Sequence, residues 1–164
     1  MSETSTQELK DINQRYHKLL TSQQTLMLST ASSCGTPDIS YAPFIRNDLG
    51  VFYIFVSEMA RHTNNLLTNP QASILFIRPE AECNNLFARE RAVLKCSVKE
   101  IPKDDKTYTP QLDALQNHFG EVVALLRSLS DFHLFALEPQ EGRYIIGFGR
   151  AYTINLNDDT LHPV

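Results

Sequence analysis

The chain has 164 residues, 42% hydrophobic and 21% charged, with a net charge of −4, so it suits one domain with a real core, spanning 1–164. Basic residues are not pooled, which excludes a nucleic-acid partner as the first expectation, and no apolar run approaches the ~20 residues of a membrane helix. The start, MSETSTQELKD, has neither the basic segment nor the apolar core of a secretion signal, so a cytoplasmic protein with no membrane partner is expected.

The segment 1–22 is expected to be an amino-terminal helix, with Gln7 to Ser22 carrying Leu9, Ile12, Tyr16 and Leu19 on one stripe. Thr25 to Ala31 reads as a strand, Ser32 to Pro37 as a turn, and Ile39 to Ile45 as a second strand. Pro43 marks that strand as an edge or a bulge. Asn47-Asp48-Leu49-Gly50 has hairpin chemistry and leads into the apolar run Val51 to Val56. Ser57 is then a candidate N-cap for a short helix that Pro70 ends at Asn69, followed by the strand Ser73 to Ile77.

A polar loop, Arg78 to Asn85, precedes a strand from about Phe87 to Ile101. Alternation there puts Ala92, Leu94, Cys96 and Val98 on one face and Arg89, Arg91 and Lys95 on the other. That basic ladder is either a solvated face or a wall for carboxylates or phosphates, to which arginine's planar fork is suited. Lys103 to Thr109 is a connector, and Pro110 to Leu129 has helical spacing broken at Gly120. Phe132 to Leu137 reads as a strand, Glu138 to Gly142 as a turn, Arg143 to Ile154 as a last strand, and 155–164 as a tail. Cys34, Cys83 and Cys96 are odd in number and widely spaced, which argues for reduced thiols and against a zinc site. The fold class expected is α+β, mainly antiparallel: a barrel of six or more strands with peripheral helices.

The order strand, S-x-x-x-R-H helix, L-x-x-N-P, apolar strand, then E-R-x-V-L-K-x-x-V-K-x-I resembles the pyridoxamine-phosphate-oxidase-like split barrel. Here these are Ser57 to Pro70, Ala72 to Ile77 and Glu90 to Ile101. Ser130-Asp131-Phe132 with Leu137, Pro139 and Gly142 to Ala151 resembles the HugZ/HutZ branch of that fold, bacterial proteins that bind and degrade haem. The resemblance implies a homodimer with the ligand site at the subunit interface.

In flavin-binding members of the fold, the segment matching Ser57, Arg61 and His62, together with the basic strand of Arg89 and Lys95, contacts the FMN phosphate. His62 stands where those members usually carry a second basic residue, which disfavours FMN. The haem branch implies an axial histidine near the carboxy terminus; His162 is the candidate ligand to haem iron in that region, and a ligand lying further on in relatives is the alternative. The same resemblance makes Arg91 a propionate contact or distal donor, and Asp131 a carboxylate that orients the axial ring from the partner subunit. Gly147 and Gly149 flank Phe148, where a flat macrocycle or a neighbouring backbone approaches. The expected activity is opening of haem to a linear tetrapyrrole with O2 and an external reductant, releasing iron. The alternatives are an FMN-dependent oxidoreductase and a non-catalytic haem carrier.

Overall fold

A computed structural model describes residues 5–164. Helix α1 (Thr6–Thr21) is followed by strands β1 (Thr25–Ala31), β2 (Pro37–Pro43), β3 (Ile45–Arg46) and β4 (Phe52–Ser57). Helix α2 (Arg61–Thr68) and β5 (Gln71–Ile77) lead to two 3-10 turns and β6 (Arg91–Ile101). Helices α3 (Tyr108–Phe119) and α4 (Glu121–Arg127) precede β7 (Phe132–Gly147), β8 (Arg150–Asn155) and β9 (Thr160–Pro163). Of the helix expected over 1–22, residues 1–4 lie outside the described residues. The described part starts where the Ser5 hydroxyl caps the Glu8 N–H at 3.1 Å.

The strands form one antiparallel sheet in the order β2-β1-β5-β6-β7-β4-β3, with β8 and β9 branching from β7. This is the expected mainly antiparallel split barrel with peripheral helices. The split lies on β7. One edge pairs with β6 along most of its length; the other pairs with β4 over 132–137 and with β8 over 143–147. Pro139, which has no N–H to donate, sits in the interval where neither β4 nor β8 is paired.

That interval corrects the expected turn at Glu138 to Gly142. The chain continues as strand through it, because β6 still pairs with Glu138, Pro139 and Glu141. Gln140 is the extra residue of a bulge, and its side-chain amide donates to the Ser97 hydroxyl at 3.1 Å. The expected strand Arg143 to Ile154 is instead a hairpin turning at Phe148-Gly149, where Gly149 takes φ +63°. The strand expected from Phe87 starts only at Arg91, because Leu86–Ala88 forms a 3-10 turn.

Inside the barrel, Leu26, Leu28, Ile54, Ile74, Phe76, Leu94 and Leu137 are fully buried, and the α1 stripe Ile12, Tyr16, Leu19 and Leu20 closes over them. A second cluster joins Tyr53 and Leu134 to Leu112, Leu115 and Val123 of the α3–α4 pair. Strand β4 is therefore covered on both faces, as its unbroken apolar run implies. The helix break at Gly120 is as expected, with φ +85° between α3 and α4.

Candidate functional site

The register aligns one residue from each of several strands in a row across the outer face of the sheet. Tyr41 lies opposite Met27, Met27 opposite Leu75, and Leu75 opposite Val93. Val93 lies opposite Arg143, Arg143 opposite Thr153, and Thr153 opposite His162. Directly opposed residues share a face, so His162 ends a row whose other end is apolar. That apolar end is open: Tyr41 is 63% exposed, its neighbour Ile39 71% and Met27 42%. A hollow of about 330 Å³, bordered by Val93, Lys95, Glu141, Gly142 and Arg143, lies on the same face.

The expected tail 155–164 is ordered structure. Leu161 of β9 is buried in the core, and alternation turns the flanking His162 outward, where it is exposed. The terminus is tied back by Val164 N–H donating to the Ala151 carbonyl at 3.0 Å. The Thr153 hydroxyl donates to the His162 carbonyl at 3.4 Å. Asp158 shapes the turn before β9 by accepting from the Thr160 N–H and hydroxyl at 3.1 and 2.6 Å, and these bonds hold its carboxyl below the usual range.

A second group gathers where β4 meets α2. The Ser57 hydroxyl donates to the Asp131 carboxylate at 2.6 Å and accepts from the Met59 N–H at 3.1 Å. The Glu58 N–H donates to the Asp131 carbonyl at 2.8 Å, so Asp131 is anchored by both backbone and side chain. Ser57 is therefore not the N-cap that its position suggested. Its hydroxyl is spent before the helix begins, and Ala60 stands at the cap without a side-chain bond. Arg61 is exposed at the first helical position.

His62 is half-buried. Its Nδ1 lies 2.8 Å from the Ser40 hydroxyl, and its buried Nε2 has no hydrogen-bond partner among the described residues. Burial lowers its pKa from the ordinary histidine value, against a smaller opposing pull from Asp38. A neutral ring at this position brings no positive charge to a phosphate.

The basic ladder is less regular than alternation implies. The Arg91 guanidinium donates to the Arg89 carbonyl at 2.8 Å, and Lys95 is ion-paired with Glu141 at 3.0 Å across the exposed strand pair. Arg89 precedes the strand, and its guanidinium bonds the Arg78 carbonyl at 2.5 Å and Glu80 at 3.4 Å. Phe148 is 71% exposed at the tip of the β7–β8 hairpin. Within one chain, then, His162, Arg91 and Lys95 share the outer face, while Ser57, Arg61, His62 and Asp131 gather around the β4–α2 turn.

Two features escaped the sequence reading. Arg143 lies in the outer row between Val93 and Thr153, a place that only the register reveals. His133 is held at Nδ1 by Glu100 at 2.6 Å and at Nε2 by Glu58 at 2.7 Å. The glutamates lie 33 and 75 residues away, beyond any local pattern. Among the described residues, no cluster of three or more His, Cys, Asp or Glu could hold a metal ion, and no helix is long and apolar enough to cross a membrane.

Comparison with known proteins agrees with this fold. Residues 12–146 match the pyridoxamine 5'-phosphate oxidase family. The chain is 38% identical over 136 residues to the haem oxygenase HutZ of Vibrio cholerae, covering 83% of this chain and 77% of that protein. The crystal structure of Vibrio cholerae HutZ, described there as a haem storage protein, matches with TM-score 0.73 and 35% identity over 77% of this chain and 89% of that one. Campylobacter jejuni ChuZ matches with TM-score 0.80 and 27% identity over 93% of this chain and 62% of that one. The chain belongs to the pyridoxamine 5'-phosphate oxidase family and, within it, to the HutZ-type haem-utilisation proteins.

Proposed function

We propose that two copies of this chain pair through the outer sheet face, bind haem at the interface and degrade it oxidatively for iron utilisation in the cytoplasm. The observation that carries this reading is the row from Tyr41 to His162, in which an open apolar strip and an exposed imidazole share one sheet face. Haem calls for an axial nitrogen, a flat apolar wall and donors for its propionates. His162 supplies the nitrogen, Met27, Leu75 and Val93 the wall, and Arg91, Lys95 and Arg143 the cations.

Each residue has a physical task in this reading. His162 holds the iron, and β9 fixes its backbone against β8. Asp131 of the partner copy accepts from the other ring nitrogen, which sets the tautomer and makes the ring a stronger ligand. The hydroxyl of Ser57 holds that carboxylate in place within its own chain. Arg91 would donate to a propionate or to a group that the haem binds. Haem supplies the iron and oxygen chemistry of its own ring opening, fed by O2 and an external reductant, while the apolar wall keeps bulk water out.

FMN is the alternative ligand on this fold, and the neutral, half-buried His62 counts against it. One experiment separates the readings: haem is added to the protein, followed by ascorbate in air. Haem degradation requires a new absorption band on binding that then decays with release of iron. A stable band leaves a carrier and overturns the oxygenase reading. No spectral change with haem, together with flavin released on denaturation, replaces haem by FMN. His162→Ala shifts or abolishes the haem band if this ring is the ligand, and an unchanged spectrum rules it out.

A further inference from the structure

Beyond the Ile77 end of β5, a hollow of about 280 Å³ opens between α1 and the connection joining β5 to β6. Arg15 comes to it from α1, Arg78 from the end of β5 and Arg89 from just before β6. Its floor is Glu90, which is 3% exposed. Both Glu90 oxygens are already engaged: Oε1 by the Tyr144 hydroxyl, and Oε2 by Arg15 at 3.2 Å and Arg78 at 2.7 Å.

One buried carboxylate thus orients two guanidiniums, using the Nε of Arg78 and a single terminal nitrogen of Arg15. Their remaining N–H groups have no acceptor among the described residues. Arg89 is the third cation. It is held through Nε by the Arg78 carbonyl, and its only carboxylate partner among the described residues is Glu80, which is 3.4 Å away and 72% exposed. An exposed pair at that distance contributes little, so a stronger anion can displace it.

We propose that this hollow binds a dianionic phosphate group, free or carried on a small ester, in exchange for Glu80. Three forked donors, one from α1 and two from opposite ends of the β5–β6 connection, suit a tetrahedral oxyanion better than a planar carboxylate, and their geometry is set before the ligand arrives. Formally Arg15, Arg78 and Arg89 balance Glu80, Glu82 and Glu90, so the resting hollow is neutral. Displacement of Glu80 gives it the positive charge that a dianion needs. The site is separate from the haem reading and stands without it.

Calorimetric titration with inorganic phosphate at constant ionic strength tests the proposal, with chloride as control and glycerol 3-phosphate as the ester. Cys83 borders the hollow and is partly exposed, so its alkylation by iodoacetamide, followed by peptide mass spectrometry, reports occupancy locally. The expected result is saturable binding that slows alkylation of Cys83 but not of the distant, exposed Cys34. Tighter binding of the ester assigns the site to phosphoesters, and equal binding to free phosphate. Arg89→Gln is expected to weaken binding at least about tenfold, the value of one charge-assisted hydrogen bond. Glu80→Gln, at an exposed position, is expected to tighten it. Arg15→Gln provides a second weakened variant should Arg89→Gln fail to fold. Absence of saturable binding, or an affinity that neither Glu80→Gln nor the arginine variants move, overturns the proposal.

Discussion

The hydroxyl of Tyr144 donates to Oε1 of Glu90, which joins β7 to the residue just before β6 inside the core. Glu90 lies 3% exposed with Arg15 and Arg78 on its other oxygen, so one buried charge ties α1, the barrel wall and the β5–β6 connection together. Burial raises the pKa of this carboxyl, but the Tyr144 hydroxyl and the two guanidiniums more than offset it, so the net shift is downward. Tyr144→Phe leaves one carboxylate oxygen unpaired and is expected to cost ~1–3 kcal/mol. Glu90→Ala strands the Tyr144 hydroxyl and frees both arginines, and is expected to cost more, ~3–5 kcal/mol. Thermal unfolding of both variants checks the order; an equal or smaller loss for Glu90→Ala refutes it.

The same carboxylate shapes the acid limb of stability. Its folded pKa lies below the ordinary 4.5, so the folded protein releases this proton more readily than the unfolded chain. The stabilisation is complete above the unfolded value and is lost as pH falls through the folded one. In Glu90→Gln the acid limb should flatten below about pH 4.5, the ordinary carboxyl value, when melting temperatures are recorded from neutral to acid.

His133 acts in the opposite sense. Burial lowers its pKa, but the hydrogen bonds and charges of Glu100 and Glu58 outweigh it, and the net shift is upward from 6.5. Both ring nitrogens face carboxylates, which only the imidazolium satisfies with two donors. A raised folded pKa gives stability that is full below the unfolded value and fades as pH rises through the folded one. NMR titration of the ring is expected to show an inflection above 6.5. His133→Gln should lose more stability at pH 6 than at pH 9, and an equal loss at both removes the charged clamp.

Much of this was legible in the sequence, and the failures have physical causes. The alternation at Ala92, Leu94, Cys96 and Val98 gave the buried face of β6 correctly, because period two survives wherever one side is core. Glu138 to Gly142 misled because Pro and Gly signal a turn. Here Pro139 instead occupies an unpaired interval, and Gly142 is required by close packing. Ser57 had the right identity for a cap, but its hydroxyl was claimed by Asp131, 74 residues away. Local pattern identifies elements; long-range register assembled His162, Arg143 and Met27 on one face.

Glycines around that strand make a graded series. A Cβ on Gly142 would fall 2.7 Å from both the Ile154 Cδ1 and the Leu94 Cδ2, inside the core. Gly142→Ala is therefore expected to cost ~1–3 kcal/mol by overpacking. Gly149 has open space around it but φ +63°, so Gly149→Ala should cost ~1–2 kcal/mol through backbone strain alone. Gly147 has open space and no such φ, and Gly147→Ala should be close to neutral. Denaturant midpoints of the three variants test the ranking.

The outer row carries the last expectation. Met27 is 42% exposed in the middle of the apolar strip, so Met27→Lys places a charge there without disturbing the barrel interior. In a single chain the ammonium reaches water along its flexible stem, and the melting temperature should stay within about 2 °C of the parent, the scale of a surface change in a chain of this size. In a dimer that closes over this face, the same charge is desolvated without a partner. The dimer dissociation constant is then expected to rise at least about a hundredfold, the equivalent of ~2.7 kcal/mol. Haem uptake should fall with it if the site is completed by Asp131 of the second copy. Light scattering coupled to gel filtration, followed by haem titration of the same fractions, gives both answers. A variant that stays dimeric and takes up haem normally would move the interface to another face and separate His162 from the apolar strip in function.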